Sequence, residues 1–194
     1  MRYIEIAKGS PKYRGTLIPL SDLRKHIDTN GTPLYRSLYT YDKDAIEYVK
    51  EHRSLRNFYG ERAIDKILID IDKQDNSDEY TLDKARSILS DLEELDVPRS
   101  AIQPYFSGSG YHLILHNDLF NFTPSIDLPY AVKSTIRDLF PIADLAVLIR
   151  TAIYRVAHTK NQKTGLYKVP LTVKELMHLN PREIKVLAET PRFS

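Results

Sequence analysis

The stretch KILIDIDK, residues 66–73, decides how this chain is read. Side chains along a strand alternate between faces, so Ile67, Ile69 and Ile71 share one side while Leu68, Asp70 and Asp72 share the other. The isoleucines predict a core strand, and the two carboxylates at its end point the same way. Paired acids there form a hard, oxygen-only site suited to Mg²⁺ or Mn²⁺ held together with substrate phosphates. A bare Asp-x-Asp also occurs simply as a solvated strand end, so other residues must converge on it.

Outward from this strand, QDNSDEY reads as a polar loop. TLDKARSILSDLEELD then places Leu82, Ala85, Ile88, Leu89, Leu92 and Leu95 at three-and-four spacing, predicting an amphipathic helix that Pro98 ends. AIQPYF and YHLILH, separated by SGSG, predict two strands around a glycine-serine turn. Upstream, residues 3–7 predict a short strand, SDLRKHID a helical turn capped by Ser21, LYRSLYTY (34–41) a tyrosine-rich β segment, and DKDAIEYVKEHR a short helix. Downstream, DLPYAVKSTIRDLF predicts another helix, KTGLYKVPL a turn entering a strand, and residues from Thr172 onward two helices, the second opened by Pro181. Strand, helix, hairpin, helix and strand in this order imply an α/β (α+β) core whose sheet is antiparallel and covered on one face by helices.

The composition sets outer limits. With 194 residues, 42% of them hydrophobic, the chain is long enough for one large domain or two small lobes. It contains no cysteine, which excludes disulfides, thiolate zinc sites and cysteine nucleophiles and leaves oxygen and imidazole as metal donors. The N-terminus lacks an apolar signal core and no window is apolar enough to span a membrane, so a cytoplasmic protein is expected. A net charge of +2 says nothing by itself about nucleic acid, which is judged by the clustering of charge.

Two further stretches carry candidate chemistry. In FSGSGYHLILH the glycines allow close backbone approach, Ser107 and Ser109 offer hydroxyls, and His112 opens the following strand. His116, on the same strand face as His112, is set aside as structural. The stretch ADLAVLIRTAIYRVAHTKNQKTGLYKVPL supplies Asp144, either a ligand or a helix cap, followed by Arg150, Arg155, Lys160 and Lys163, a charge density suited to phosphates.

Together these motifs resemble the archaeo-eukaryotic primase superfamily: IDID, then SGSGYH, then Asp144 with R-x-x-x-T-x-N-x-KTG and VPL, all in the family's order over roughly residues 34–171. The resemblance implies the primase catalytic fold, a mixed, largely antiparallel sheet with an RRM-like module flanked by helices. Residues 1–171 would form the primase-polymerase domain, an N-terminal α/β lobe packed on the RRM-like lobe, and residues 172–194 a helical extension. By similarity, Asp70, Asp72 and Asp144 would be the catalytic acids, holding two Mg²⁺ or Mn²⁺ ions. Arg36, Ser107, Ser109, His112, Arg155, Thr159, Asn161 and Lys163 would bind the nucleotide. The implied reaction is template-directed nucleotidyl transfer, in which a 3′-hydroxyl attacks the α-phosphate of a nucleoside triphosphate and releases pyrophosphate. Implied partners are single-stranded DNA template, nucleoside triphosphates and a helicase or helical accessory domain. The spacing of Asp144 from Arg155, and Asn161 in place of histidine, resemble the plasmid and phage branch, which would put the protein in the host cell. No zinc cluster is present. Residues that contact the template are unassigned, and strand tyrosines such as Tyr35, Tyr39 and Tyr41 are as well explained by packing.

Competing readings are an end-joining or repair polymerase of the same superfamily, a nuclease or sugar-nucleotide transferase using Asp-x-Asp, and a catalytically inactive nucleic-acid-binding module.

Overall fold

The computed structural model describes residues 1–193 and shows a mixed α+β protein with two antiparallel sheets. Its strands are β1 (Tyr3–Lys8), β2 (Thr16–Pro19), β3 (Leu34–Ser37), β4 (Thr40–Tyr41), β5 (Arg62–Ala63), β6 (Lys66–Ile71), β7 (Ile102–Phe106), β8 (Tyr111–His116), β9 (Ile153–Arg155) and β10 (Val169–Pro170). The helices are α1 (Lys43–His52), α2 (Asp78–Glu94), α3 (Leu128–Leu139), α4 (Val173–His178) and α5 (Pro181–Leu187). The first sheet runs β5-β4-β1-β3-β9, with β2 beside β1; the second runs β10-β7-β8-β6.

The second sheet holds the site. Its register aligns Ile67 with Leu115, Ile69 with Leu113 and Ile71 with Tyr111, so one face is a continuous apolar surface. That face buries Leu82, Ala85, Ile88, Leu89 and Leu92 of α2, with Leu176 of α4 and Ile184 of α5 in the same core. The expected period of three and four therefore meets the expected period of two. On the other face, Asp70, His112 and Tyr105 stand in one row across β6, β8 and β7. This face is covered by the edge of the first sheet, where Arg36 of β3 pairs with Tyr154 of β9. The layer between the sheets is thus partly polar.

Several local expectations are corrected. Helix α2 begins at Asp78, inside the expected loop, because the Ser77 hydroxyl accepts the Tyr80 N–H and two acids occupy the first turn. The SDLRKHID turn is a 3₁₀ helix starting at Leu20, preceded by Pro19, and Ser21 is not its cap. LYRSLYTY breaks into β3 and β4, since the Ser37 hydroxyl donates to the Tyr39 carbonyl (2.6 Å) and accepts the Glu5 N–H (3.0 Å). Tyr39 and Tyr41 are fully buried, as packing requires. The antiparallel sheet expected from strand, helix, hairpin, helix and strand is the second sheet, and the N-terminal strands form a further sheet with β9. At the C-terminus, Thr172 and Asn180 close capping boxes with Glu175 and Glu183, which starts α4 and α5 where the sequence places them.

Candidate active site

Two residues far apart in sequence meet through the main chain. The Asp144 N–H donates to the Asp70 carbonyl at 2.8 Å, an antiparallel bridge that lays the chain after α3 along the end of β6. Asp144 also caps the short 3₁₀ turn Leu145–Val147, its Oδ1 accepting the Ala146 N–H at 2.8 Å. Cap and candidate ligand are therefore compatible, because a carboxylate has acceptor capacity beyond one bond. Asp72, just past β6, is exposed and borders with Asp144 a cavity of about 190 Å³ that Gln74 and Lys84 also line.

Asp70 does not line this cavity: β6 ends at Ile71, so the alternation expected to point both carboxylates the same way stops before Asp72, and the Asp70 carboxylate meets β8 instead. Its Oδ1 lies 3.3 Å from His112 Nε2, and His112 Nδ1 lies 2.8 Å from the Lys168 amine. Lys168 also donates to the Arg155 carbonyl at 2.9 Å and sits between the rings of Tyr105 and Tyr154, 4.9 Å from each centroid. An ionised carboxylate only accepts, so Nε2–H is the donor to Asp70, and in the neutral ring Nδ1 is the nitrogen that accepts from Lys168. Burial, then the charge of Lys168, pulls His112 down to about 4 against the opposing pull of Asp70. Burial likewise draws Lys168 well below the usual lysine range. His112 is thus neutral at pH 7, a fixed link between a buried lysine and a carboxylate.

The SGSG turn closes on both neighbours. A Cβ at Gly110 would stand 2.3 Å from the Ile71 carbonyl oxygen, and one at Gly108, where φ is +92°, would stand 2.7 Å from Asn161 Cβ. Only glycine lets the turn lie this close to the end of β6 and to the 161–166 loop. Ser107 uses its hydroxyl to accept the Gly110 N–H (3.1 Å), and its carbonyl accepts from Arg155 (2.6 Å). Ser109 lies 3.5 Å from the Asn161 amide, whose Oδ1 accepts the Lys163 N–H (2.9 Å); Thr164 donates to the Gly108 carbonyl at 2.9 Å.

The structure therefore brings the three motifs together: Asp70, Asp72, Asp144, His112, Ser107, Ser109, Arg155, Asn161 and Lys163 surround the end of β6 and the turn beside it. Arg36 and Thr159 stand apart. Arg36 is buried at the start of β6, where it donates to Asp65 (2.9 Å) and lies over the Tyr154 ring. Thr159 is fully buried and donates to the Val156 carbonyl (2.8 Å). As folded, His112 and Ser107 also have their polar atoms engaged within the protein, while Asp72 and Lys163 are exposed. Sequence reading missed Lys168, Tyr105 and Tyr154; the only signal for Lys168 was a charge inside the apolar run YKVPL.

Among the described residues, no three imidazole or carboxylate side chains are grouped to enclose a metal ion by themselves. The donors that border the cavity are carboxylates, which fits Mg²⁺ or Mn²⁺, since Mg²⁺ commonly takes one or two carboxylates and completes its shell from water and substrate phosphates. No helix among the described residues is long and apolar enough to cross a membrane. Comparison with protein-family models and with curated proteins finds no match for the sequence.

Proposed function

We propose that the protein is a template-directed nucleotidyl transferase with the archaeo-eukaryotic primase fold, acting as a primase or primase-polymerase on single-stranded DNA. The observation that carries this reading is the main-chain bridge between Asp70 and Asp144, which joins two of three candidate acids at the end of β6, beside a polar cavity that Asp144 lines with Asp72. Asp70, Asp72 and Asp144 would hold Mg²⁺ or Mn²⁺, and the bound metal would supply activation of a 3′-hydroxyl and neutralisation of the departing pyrophosphate. The rest of the work falls to positioning and electrostatics, as phosphoryl transfer requires. Lys163, exposed on the loop packed against the SGSG turn, would meet a triphosphate, and Ser109 would offer a hydroxyl beside it. Arg155 stiffens that turn through the Ser107 carbonyl, and His112 holds one Asp70 oxygen so that the other keeps a fixed direction.

The test is incubation of single-stranded template with deoxy- or ribonucleotides, with and without primer, in Mg²⁺ and in Mn²⁺. Wild type should lengthen or start chains. Asp72→Asn and Asp144→Asn should lower the rate by more than about 100-fold, beyond what loss of an outer-shell partner costs. Because Asp72 is exposed, its variant should unfold within about 0.5 kcal/mol of wild type. Synthesis that persists undiminished in either variant rules the assignment out, and a wild type inert with every nucleotide and metal favours a non-catalytic binding module.

A further inference from the structure

Away from the carboxylates, the chain buries an arginine with no acid to balance it. Arg62 of β5 is 1% exposed, yet among the described residues its guanidinium meets no carboxylate: it donates to the main-chain oxygens of Gly60 (2.8 Å) and Phe58 (2.6 Å) and lies against the Tyr41 side chain and the Phe58 ring, 5.8 and 5.3 Å from their centroids. Its Nε–H is buried with no partner among the described residues. The other deeply buried arginine, Arg36, does have a carboxylate, Asp65. A buried charge without a counter-ion is costly, and such charges are ordinarily paired.

Arg62 lines a cavity of about 220 Å³ that Arg56, Asn57, Tyr59, Arg150 and Thr151 also border. Arg150 stacks its guanidinium over the exposed Tyr59 ring at 5.3 Å. Its one ion partner among the described residues, Asp127, is 3.6 Å away and 89% exposed, a contact worth little in water. Three arginines with one loose acid among them make an electropositive pocket. Burial first, and then Arg150, push the Arg62 guanidinium in the direction of losing its proton, with Tyr41 opposing, and an anion in the cavity would offset the repulsion from Arg150.

We propose that this cavity is a phosphate-binding site, with Arg62 as its buried floor and Arg150 and Arg56 as its rim. The planar fork of arginine matches a phosphate's oxygens, and three such side chains, Arg62, Arg56 and Arg150, line this one cavity. Arg150 lies six residues after Asp144, on the segment that leads from the carboxylates into β9. The site does not depend on nucleotidyl transfer: it is read by binding, and its failure would leave that reading untouched.

The experiment follows the assigned arginine Nε–H signals by ¹H–¹⁵N NMR while inorganic phosphate replaces chloride at constant ionic strength, and in parallel measures fluorescence anisotropy of a labelled oligothymidylate across a salt series. Phosphate should move the Arg62 Nε–H signal, and Arg150→Ser, a half-exposed change, should abolish that movement while the rest of the spectrum remains that of the folded protein. If the phosphate of a nucleic-acid strand is the occupant, the oligonucleotide moves the same signal, and in Arg150→Ser the slope of log affinity against log salt falls by about 0.7, one single-strand phosphate contact. Movement with inorganic phosphate alone assigns the site to a small phosphorylated ligand. An Arg62 signal that ignores both probes, or that responds equally in Arg150→Ser, overturns the proposal. Arg56→Ser serves as a second rim variant and should weaken the response.

Discussion

Replacing Lys168 by methionine addresses the polar layer between the two sheets. The amine is 1% exposed and donates to His112 Nδ1 and to the Arg155 carbonyl. Its removal strips the donor from two buried acceptors, at about 1–3 kcal/mol each. Against this, burying a lysine carries a desolvation penalty of several kcal/mol, which methionine abolishes while its unbranched stem still fills the gap between Tyr105 and Tyr154. The two effects oppose each other, and Lys168→Met should shift stability by no more than about 2 kcal/mol in either direction, measured by urea unfolding at neutral pH. The His112 ring reports the electrostatic half. Burial first, then Lys168, holds it down to about 4, with Asp70 opposing. Without the lysine charge its pKa should rise by about one unit or more, each unit being about 1.4 kcal/mol of differential interaction. A proton NMR titration following His112 Cε1–H reads this shift. A loss above about 4 kcal/mol, typical of stripping one partner from a buried ion pair, would refute the reasoning, as would an imidazole that titrates where the wild-type ring does.

The pH dependence of stability follows from the same ring. The folded pKa of about 4 lies below the ordinary 6.5, so between these values the unfolded chain takes up the proton and stability falls as pH drops through that window. His112→Gln should flatten this slope by up to about 3 kcal/mol in unfolding curves at pH 7 and pH 4. Gly110→Ala would force a methyl against the Ile71 carbonyl oxygen and should cost about 1–3 kcal/mol of stability, together with any activity that depends on the end of β6. Gly165→Ala, at φ +73° with nothing near its Cβ, should cost only about 1 kcal/mol by thermal unfolding and serves as the comparison.

Which parts of this were legible in the sequence follows from how local each signal is. β6 was readable because alternating isoleucines fix its faces without reference to anything else, and α2 because its apolar positions repeat at the helical period. The apolar spacing starts α2 only at Thr81 because DNSDE is polar, although Ser77 followed by two acids is itself a start signal. Convergence of the three motifs was available only through their order and spacing, by resemblance; the Asp70–Asp144 bridge that brings it about is a main-chain contact between segments 74 positions apart, which no periodicity encodes. The division into two sheets, and the side of the second sheet on which the first one lies, decide that Lys168, Tyr105 and Tyr154 enclose His112. Those depend on pairings such as Arg36 with Tyr154 that the strand sequences do not specify. Arg36 itself illustrates the limit: the sequence marks an arginine in a strand, and only the folded chain gives it Asp65 as its partner.

The Asp70–Asp144 contact has an implication for redesign. Because amide and carbonyl make the junction, the two positions stay adjacent for any residue but proline at 144, and Asp72 shares a cavity rim with Asp144. A library that varies these three sites alone would explore new donor sets, imidazole in place of carboxylate for example, on a scaffold whose alignment is already set by its peptide groups.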